Sequence, residues 1–301
     1  LFNNIKGDIF GGATAAVVAL PLALAFGVAS GVGAIAGLYG AIAVGFFAAV
    51  FGGTKSQVSG PTGPMTVVMA VIVTQHAENL GEAFAIVTLG GFLQIIFGLV
   101  RVGRFVTYTP YSVVSGFMSG IGVIIIIIQT LPFIGMPAEP GGPLGVINVW
   151  AGSTLQVNTD ALMIAGLCLA VVIFWPNRLH AVLPPHLASL VAGSATAFFF
   201  LSDAPVIGEI PTGLPDLHLP LVSPANLPTI LGPAFVLALL GSIDSLLTSL
   251  VADSITRTRH KSDRELIGQG IGNMVSGLIG GLPGAGATMR TVVNVRAGGR
   301  T

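Results

Sequence analysis

Apolar residues recur along this chain in long runs that are separated by short polar or glycine-rich breaks. A run of about 18 to 25 residues crosses a hydrocarbon core of roughly 30 Å as an α-helix, because each helical residue advances by about 1.5 Å. We predict membrane segments at roughly 9–30, 33–51, 62–76, 83–101, 109–134, 160–176, 184–202, 228–253, 264–281 and 287–295. The pattern therefore indicates an all-α integral membrane protein.

Two of these segments, the third and the tenth, are conspicuously short. Each follows a break rich in glycine, proline or small polar residues, at 52–61 and at 280–286. The short segments also resemble each other, with Met-Thr-Val-Val at 65–68 and Arg-Thr-Val-Val at 290–293. Because an odd number of crossings separates them, they should have opposite orientations, which is typical of inverted repeats in transporters. We predict one transport domain over 1–301, with a first repeat at about 1–203 and a second beginning at about 228–301.

Composition and charge support the membrane assignment. Of the 301 residues, 53% are hydrophobic and 8% are charged, against roughly 25% charged in a soluble domain. The formal net charge is zero, so no overall field points to a nucleic-acid partner. Lys and Arg are absent from alternate connections, near 31, 77–82, 135–159 and 203–227. This segregation predicts a cytoplasmic N-terminus, and we expect the protein in the plasma (inner) membrane.

The breaks before the two short segments predict an anion site. Proline suits the first turn of a helix, and glycine allows the preceding backbone to bend. A helix that begins inside the membrane leaves its first N–H groups free, and these groups bind anions together with the helix dipole. The candidates are the backbone at the start of the third segment and at Ala287: Gly63, Pro64, Met65, Thr66 and Ala287. Close helix packing at these glycines is the alternative.

Asp244 is the only acidic residue that we place well inside a predicted segment. A charge at that depth costs on the order of 3 kcal/mol on insertion scales. Thr248 lies one turn later on the same helical face, and Thr288 would approach if the repeats pack together. Carboxylate, hydroxyl and carbonyl oxygens suit a hard cation, which here would be Na⁺. A protonated or hydrogen-bonded structural Asp is the alternative.

Two further residues are candidates for the anion site. Arg290 lies in the first turn of the tenth segment, where its charge opposes the positive end of the helix dipole. It could attract the anion, pair with an acidic residue, or lie at the membrane edge. Phe26 follows Pro21, which predicts a kink in the first segment, and we expect this ring to line a cavity beside the kink.

The chain resembles the SulP anion-transporter family, and within it the cyanobacterial bicarbonate-transporting branch. The resemblance rests on motifs that occur in order along the chain: Asp8–Ala16, Ala19–Phe26, Gly37–Gly40, Phe51–Thr54 and Gly60–Pro64. Leu22 departs from the pattern, since many relatives have Gln there, and the substitution removes a side-chain hydrogen bond to substrate.

The resemblance implies a 7+7 inverted-repeat fold with core and gate domains, of which this chain carries about ten of fourteen segments. A C-terminal STAS domain, through which the full-length protein would form a homodimer, is expected to be absent from this chain. The resemblance further implies an anion held between the third and tenth helices, elevator-type alternating access, and bicarbonate as cargo in symport with Na⁺. No organic cofactor is implied. The cation site implied by the resemblance comprises Asp244, Thr248, Gly286 and Thr288.

Other functions are alternatives to Na⁺-coupled bicarbonate transport. The same fold could carry sulfate, chloride, oxalate or uracil, because backbone donors discriminate poorly between anions. A passive anion channel is a further alternative. An intramembrane protease is not supported, because Gly241-Ser242-Ile243-Asp244 departs from G-x-G-D and no G-x-S-G nucleophile motif accompanies a histidine in a neighbouring segment. We therefore expect no enzymatic activity.

Overall fold

The computed structural model describes residues 4–75, 80–108, 110–137, 139, 142–152, 154–176, 179, 185–201, 203–206, 215, 217 and 227–301. The first four helices are α1 (Ile5–Ala29), α2 (Ala34–Phe51), α3 (Gly63–Gln75) and α4 (Leu80–Leu99), with strand β1 (Ser59–Pro61) before α3. A 3₁₀ helix (Val102–Tyr108) then precedes α5 (Tyr111–Phe133), α6 (Gly142–Gly152), α7 (Thr159–Phe174) and α8 (Pro185–Phe199). The chain continues through α9 (Leu227–Thr256), α10 (Ser262–Leu278), strand β2 (Gly284–Gly286) and α11 (Thr288–Arg296).

Each of the ten predicted segments coincides with a helix, with ends that differ by a few residues. The two short segments are α3 and α11, which have 13 and 9 residues. Helix α6 departs from the prediction of a connection at 135–159, because its 11 residues are too few for a membrane-length apolar run. Residues 77–79 of the predicted connection at 77–82, and most of the predicted connection at 203–227, lie outside the described residues.

Among the described residues, four helices are long and apolar enough to cross a membrane: α1, α2, α4 and α9. Large apolar side chains on their outer faces are exposed, such as Ile9 and Phe10 on α1 and Phe46 on α2. A helix that is apolar on every side is expected where lipid replaces water as the surroundings. These faces fit contact with a bilayer.

The chain divides into two compact units, one formed by 1–121 with 210–301 and the other by 122–209. Helix α10 lies at the centre of the first unit, where it packs against α4, α2 and α9. This unit contains α1–α4 together with α9–α11, so it combines helices from both predicted repeats. The second unit includes α6, α7 and α8, and α7 packs against α8.

Glycines let α10 approach its neighbours closely. A Cβ atom added at Gly270 would stand 2.6 Å from the carbonyl oxygen of Gly91 on α4, and one added at Gly272 would stand 2.9 Å from the Cα of Val44 on α2. Such contacts bring backbone against backbone, a packing mode that small residues permit in membrane proteins.

We predict that Gly270→Ala destabilises the protein, because the added methyl group must separate α10 from α4. Overpacking of this kind costs about 1–3 kcal/mol. The control is Gly12→Ala on α1, where nothing lies within 4 Å of the added Cβ. Thermal unfolding of both variants in detergent checks the prediction, and equal melting temperatures would contradict it.

Candidate functional site

The two glycine-rich breaks form a pair of short antiparallel strands, which the sequence did not predict. In β1 and β2, Ser59 pairs with Gly286, Gly60 with Ala285 and Pro61 with Gly284. Because the strands run in opposite directions, α3 and α11 leave the ladder at opposite ends.

Both helices begin with free backbone donors. The N–H of Thr66 bonds to the carbonyl of Thr62 at 2.9 Å, and Pro64 has no N–H, so the N–H groups of Gly63 and Met65 lack an acceptor within α3. The N-cap of α11 is Ala287, whose side chain cannot cap the helix. The first intrahelical bond of α11 runs from Thr291 N–H to the carbonyl of Ala287 at 2.9 Å. The predicted anion site depends on these first-turn N–H groups.

The predicted anion-site side chains surround these helix starts. Gly63, Met65, Thr66 and Ala287 are buried, and Pro64 is half-buried. Phe26 packs against the apolar cluster that contains Met65. The site is therefore shielded from solvent on its apolar side.

The four residues predicted to bind a cation lie together around Thr248. The Thr248 hydroxyl is 2.9 Å from the carbonyl oxygen of Gly286 and 2.8 Å from the Thr288 hydroxyl. Asp244 lies one turn earlier on α9, is 4% exposed, and has no hydrogen-bond partner for its Oδ2 atom. The structure thus assembles oxygen atoms from α9, β2 and α11 in one buried place.

Arg290 extends from α11 to the start of α3. Its side chain is 3% exposed, and Nη2 donates a hydrogen bond to the carbonyl of Pro61 at the end of β1. Burial places the side chain inside the protein and away from its outer surface. Among the described residues, no carboxylate lies within 4.0 Å of its guanidinium, although Asp244 is near enough for the two charges to interact. The guanidinium is left with a free donor, Nη1.

Three buried polar atoms without partners meet in this region: Thr62 Oγ1, Asp244 Oδ2 and Arg290 Nη1. They belong to the β1–α3 junction, α9 and α11. The Thr62 hydroxyl lies beside the Asp244 carboxylate, but neither atom meets hydrogen-bond geometry. Buried polar groups are almost always paired, because leaving one unpaired costs about 1–3 kcal/mol. A cluster of such atoms indicates a place where a ligand completes the hydrogen bonding.

A row of polar side chains on α10 holds the two strands, and we call it the α10 polar stripe: Glu265, Gln269, Asn273 and Ser276. Asn273 Nδ2 donates to the Gly284 carbonyl at 2.9 Å, and its Oδ1 accepts the Gly284 N–H at 2.7 Å. Gln269 Nε2 donates to Ser59 Oγ at 2.6 Å. The stripe therefore supports both strands from one helix.

Sequence reasoning missed this stripe. Glu265 lies in the first turn of α10 and is 1% exposed, so Asp244 is not the only acidic side chain that the structure buries. Glu265 was overlooked because it lies at the edge of the predicted segment. Its spacing of four residues from Gln269, and of eight from Asn273, places all three on one helical face, and that polar periodicity is the signal that could have found them.

The model of the sulfate permease family matches residues 5–301. The chain is 52% identical over 313 residues to the bicarbonate transporter BicA of Picosynechococcus sp., covering 100% of this chain and 55% of that protein. It is 51% identical over 307 residues to the bicarbonate transporter BicA of Synechocystis sp., covering 100% and 54%. The chain spans about half the length of these curated relatives.

A solved structure, the transmembrane domain of a cyanobacterium bicarbonate transporter BicA, superposes with a TM-score of 0.92. It is 51% identical and covers 100% of this chain and 79% of that chain. This likeness confirms the predicted fold class, an all-α membrane protein with the 7+7 inverted-repeat transporter fold.

Proposed function

Because this chain belongs to the sulfate permease (SulP) family of anion transporters, we propose that it moves bicarbonate across the membrane in symport with Na⁺. It is part of a multi-pass membrane transporter and not an enzyme. The proposal depends most on three buried atoms that have no hydrogen-bond partner and lie beside two helix N-termini: Thr62 Oγ1, Asp244 Oδ2 and Arg290 Nη1. Relatives that are named bicarbonate transporters support the choice of cargo.

The proposed anion site has donors from two helices and one guanidinium. The free N–H groups of Gly63 and Met65, those in the first turn of α11, and Arg290 Nη1 would all donate to anion oxygens. Ala287 is small and leaves room at the start of α11, and Phe26 shields the site. Backbone donors and one arginine suit a small oxyanion without specifying which one.

The unpaired carboxylate oxygen of Asp244 favours bicarbonate over the other candidate anions. Bicarbonate carries one O–H donor, whereas chloride and fully ionised sulfate carry none. The unpaired Asp244 Oδ2 can only accept when the carboxyl is ionised, whereas the Thr62 hydroxyl can donate as well as accept, so an anion with a donor can satisfy the carboxylate oxygen. A site built to receive such a donor discriminates against ligands that lack it.

The proposed cation site consists of hard oxygen ligands. The Asp244 carboxylate, the Thr248 and Thr288 hydroxyls and the Gly286 carbonyl would hold Na⁺, as unwound segments do in other transporters. Sodium would offset the charge of Asp244, which otherwise attracts Arg290 and repels an incoming anion. Binding of either ion should therefore increase the affinity for the other.

Several wider features belong to the same proposal. Elevator-type alternating access would carry the unit that holds α3, α9 and α11 across the membrane. The domain would comprise a first repeat at about 1–203 and the start of a second at about 228–301. The N-terminus would be cytoplasmic in the plasma (inner) membrane, and the full-length protein would form a homodimer through a STAS domain.

Radiolabelled bicarbonate uptake by the full-length protein in proteoliposomes tests the proposal. Uptake should accumulate bicarbonate against its gradient when an inward Na⁺ gradient is imposed. Sulfate and chloride in excess should inhibit weakly. Uptake that is indifferent to Na⁺ would refute the coupling, stronger binding of sulfate would point to a sulfate transporter, and conductance far above transporter turnover would point to a channel.

We predict that Asp244→Asn abolishes the stimulation of uptake by Na⁺, because the only charged cation ligand is lost. The matched control is Ser242→Ala on the same helix, where the hydroxyl bonds only to the carbonyl of Ala238 in the preceding turn at 2.6 Å. Uptake is measured over a range of Na⁺ concentrations, with membrane insertion checked by size-exclusion chromatography. Normal Na⁺ dependence in Asp244→Asn would place the cation elsewhere.

We predict that Ala287→Phe reduces bicarbonate uptake at least about 10-fold, because an aromatic ring would fill the space between the helix starts. Met289→Phe is the control, since Met289 is 63% exposed on the same helix. Equilibrium binding of bicarbonate by calorimetry separates lost binding from lost movement. Unchanged affinity in Ala287→Phe would exclude an anion site at the start of α11.

A further inference from the structure

Glu265 occupies an unusual position for an acidic residue, buried in the first turn of α10 and directed into the first unit of the chain. Its Oε2 accepts hydrogen bonds from the backbone N–H groups of Gly53 and Thr54, both at 2.8 Å. Its Oε1 accepts hydrogen bonds from Gln57 Nε2 and Gln269 Nε2, also at 2.8 Å. All four partners are N–H donors, which is the pattern that surrounds an ionised carboxylate.

The contact with Gln57 links Glu265 to helix α9. Gln57 donates through Nε2 to Glu265, and its Oε1 accepts a hydrogen bond from Ser249 Oγ at 2.9 Å. Ser249 directly follows Thr248, one of the proposed cation ligands. These two hydrogen bonds fix the orientation of the Gln57 amide, with its NH2 group toward Glu265 and its oxygen toward Ser249.

The oriented amide of Gln57 packs against Gly286, whose carbonyl is another proposed cation ligand. A Cβ atom added at Gly286 would stand 2.3 Å from Gln57 Nε2, so the amide occupies the space that a side chain would fill. On the other side, the Gly286 N–H bonds to Ser245 Oγ at 3.0 Å and its carbonyl accepts the Thr248 hydroxyl. Gly286 is therefore held between α9 and the Gln57 amide.

The charge of Glu265 would have a second effect on cation binding. The buried charged side chains among the described residues are Asp244, Glu265 and Arg290, two acidic and one basic. When all three are ionised, this region carries one uncompensated negative charge, which one monovalent cation would balance. Glu265 would thus favour a cation without touching it.

We propose that Glu265 is a positioning residue for the cation site, acting through Gln57 on the carbonyl of Gly286 to set the affinity for Na⁺. The inference rests on the proposed function, since it deepens the assignment of Asp244, Thr248, Gly286 and Thr288 as Na⁺ ligands. Groups that orient metal ligands typically contribute 10- to 100-fold in affinity.

The test measures Na⁺-dependent bicarbonate uptake by the full-length protein and by the variants Glu265→Gln, Gln57→Met and their combination. Glu265→Gln removes the charge and replaces one of the two acceptor oxygens by an NH2 donor, whereas Gln57→Met removes only the hydrogen bonds. Each single variant should raise the Na⁺ concentration for half-maximal uptake about 10-fold. Maximal uptake and the bicarbonate KM at saturating Na⁺ should stay within about twofold. The double variant should resemble the more affected single variant, because both changes break the same relay.

Asp263→Asn is the matched control, because it removes an acidic charge from the same turn of α10 outside the relay. It should leave the Na⁺ dependence unchanged. If the wild-type protein shows no Na⁺ dependence, the proposed function itself fails. If the wild type depends on Na⁺ but Glu265→Gln and Gln57→Met lower only maximal uptake, Glu265 is purely structural and the inference is overturned.

Additive effects in the double variant would also overturn the relay, because they would mean that the two residues act separately. Should Glu265→Gln fail to insert into the membrane, Gln57→Met decides alone, since it changes no buried charge. A shift of the half-maximal Na⁺ concentration in that variant supports the relay, and an unchanged value refutes it.

Discussion

The pairing of β1 with β2 is the constraint on which the rest of the site depends. In a hydrocarbon environment, every N–H and C=O group without a partner costs several kcal/mol, so a helix can begin within the membrane only if the preceding backbone is satisfied elsewhere. Here the two breaks satisfy each other, through a three-residue ladder that joins Ser59–Pro61 to Gly284–Gly286. The same pairing fixes where α3 and α11 start and makes them diverge. The free donors at both helix starts are a consequence of this geometry.

A ladder of three residues is too short to be stable in isolation, and α10 compensates for its length. Asn273 presents its side-chain amide to Gly284 much as a third strand would, with one donor and one acceptor. Gln269 holds Ser59, and Glu265 holds the turn before β1. The glycines have a complementary role, because a Cβ atom at Gly284 would stand 2.5 Å from the backbone of Gly60. Polar side chains on α10 and glycines in the strands therefore stabilise the same short ladder.

These features differ in how far the sequence could predict them. The long helices follow from apolar runs, and the starts of α3 and α11 follow from proline and glycine placed before short runs. Strand pairing was not predictable from the pattern, since Ser-Gly-Pro and Gly-Ala-Gly have low intrinsic strand propensity. Hydrogen bonds from α10 to Ser59 and Gly284 support the pairing, and no local pattern indicates them. Glu265 escaped detection because burial depends on its neighbours: loop 53–57 folds over it, which no local pattern indicates. The position of Arg290 was predictable only in part. The sequence shows that Arg290 lies in the first turn of α11, but not that its guanidinium donates a hydrogen bond to Pro61.

The presence of Asp244 and Arg290 in one buried site bears directly on how cation binding and anion binding would be coupled. If these opposite charges formed a close ion pair, each would satisfy the other and ligands would have to break that pair, at a cost of several kcal/mol. Instead, each keeps an unpaired atom, while Arg290 is held away by its bond to the Pro61 carbonyl. A cation at Asp244 and an anion at Arg290 would then bind as a pair that adds no net charge to the site. Binding the anion alone would add to the negative charge of this region in a medium of low dielectric constant. On the proposed function, symport of Na⁺ with an anion thus follows from separating the two charged side chains by one backbone hydrogen bond.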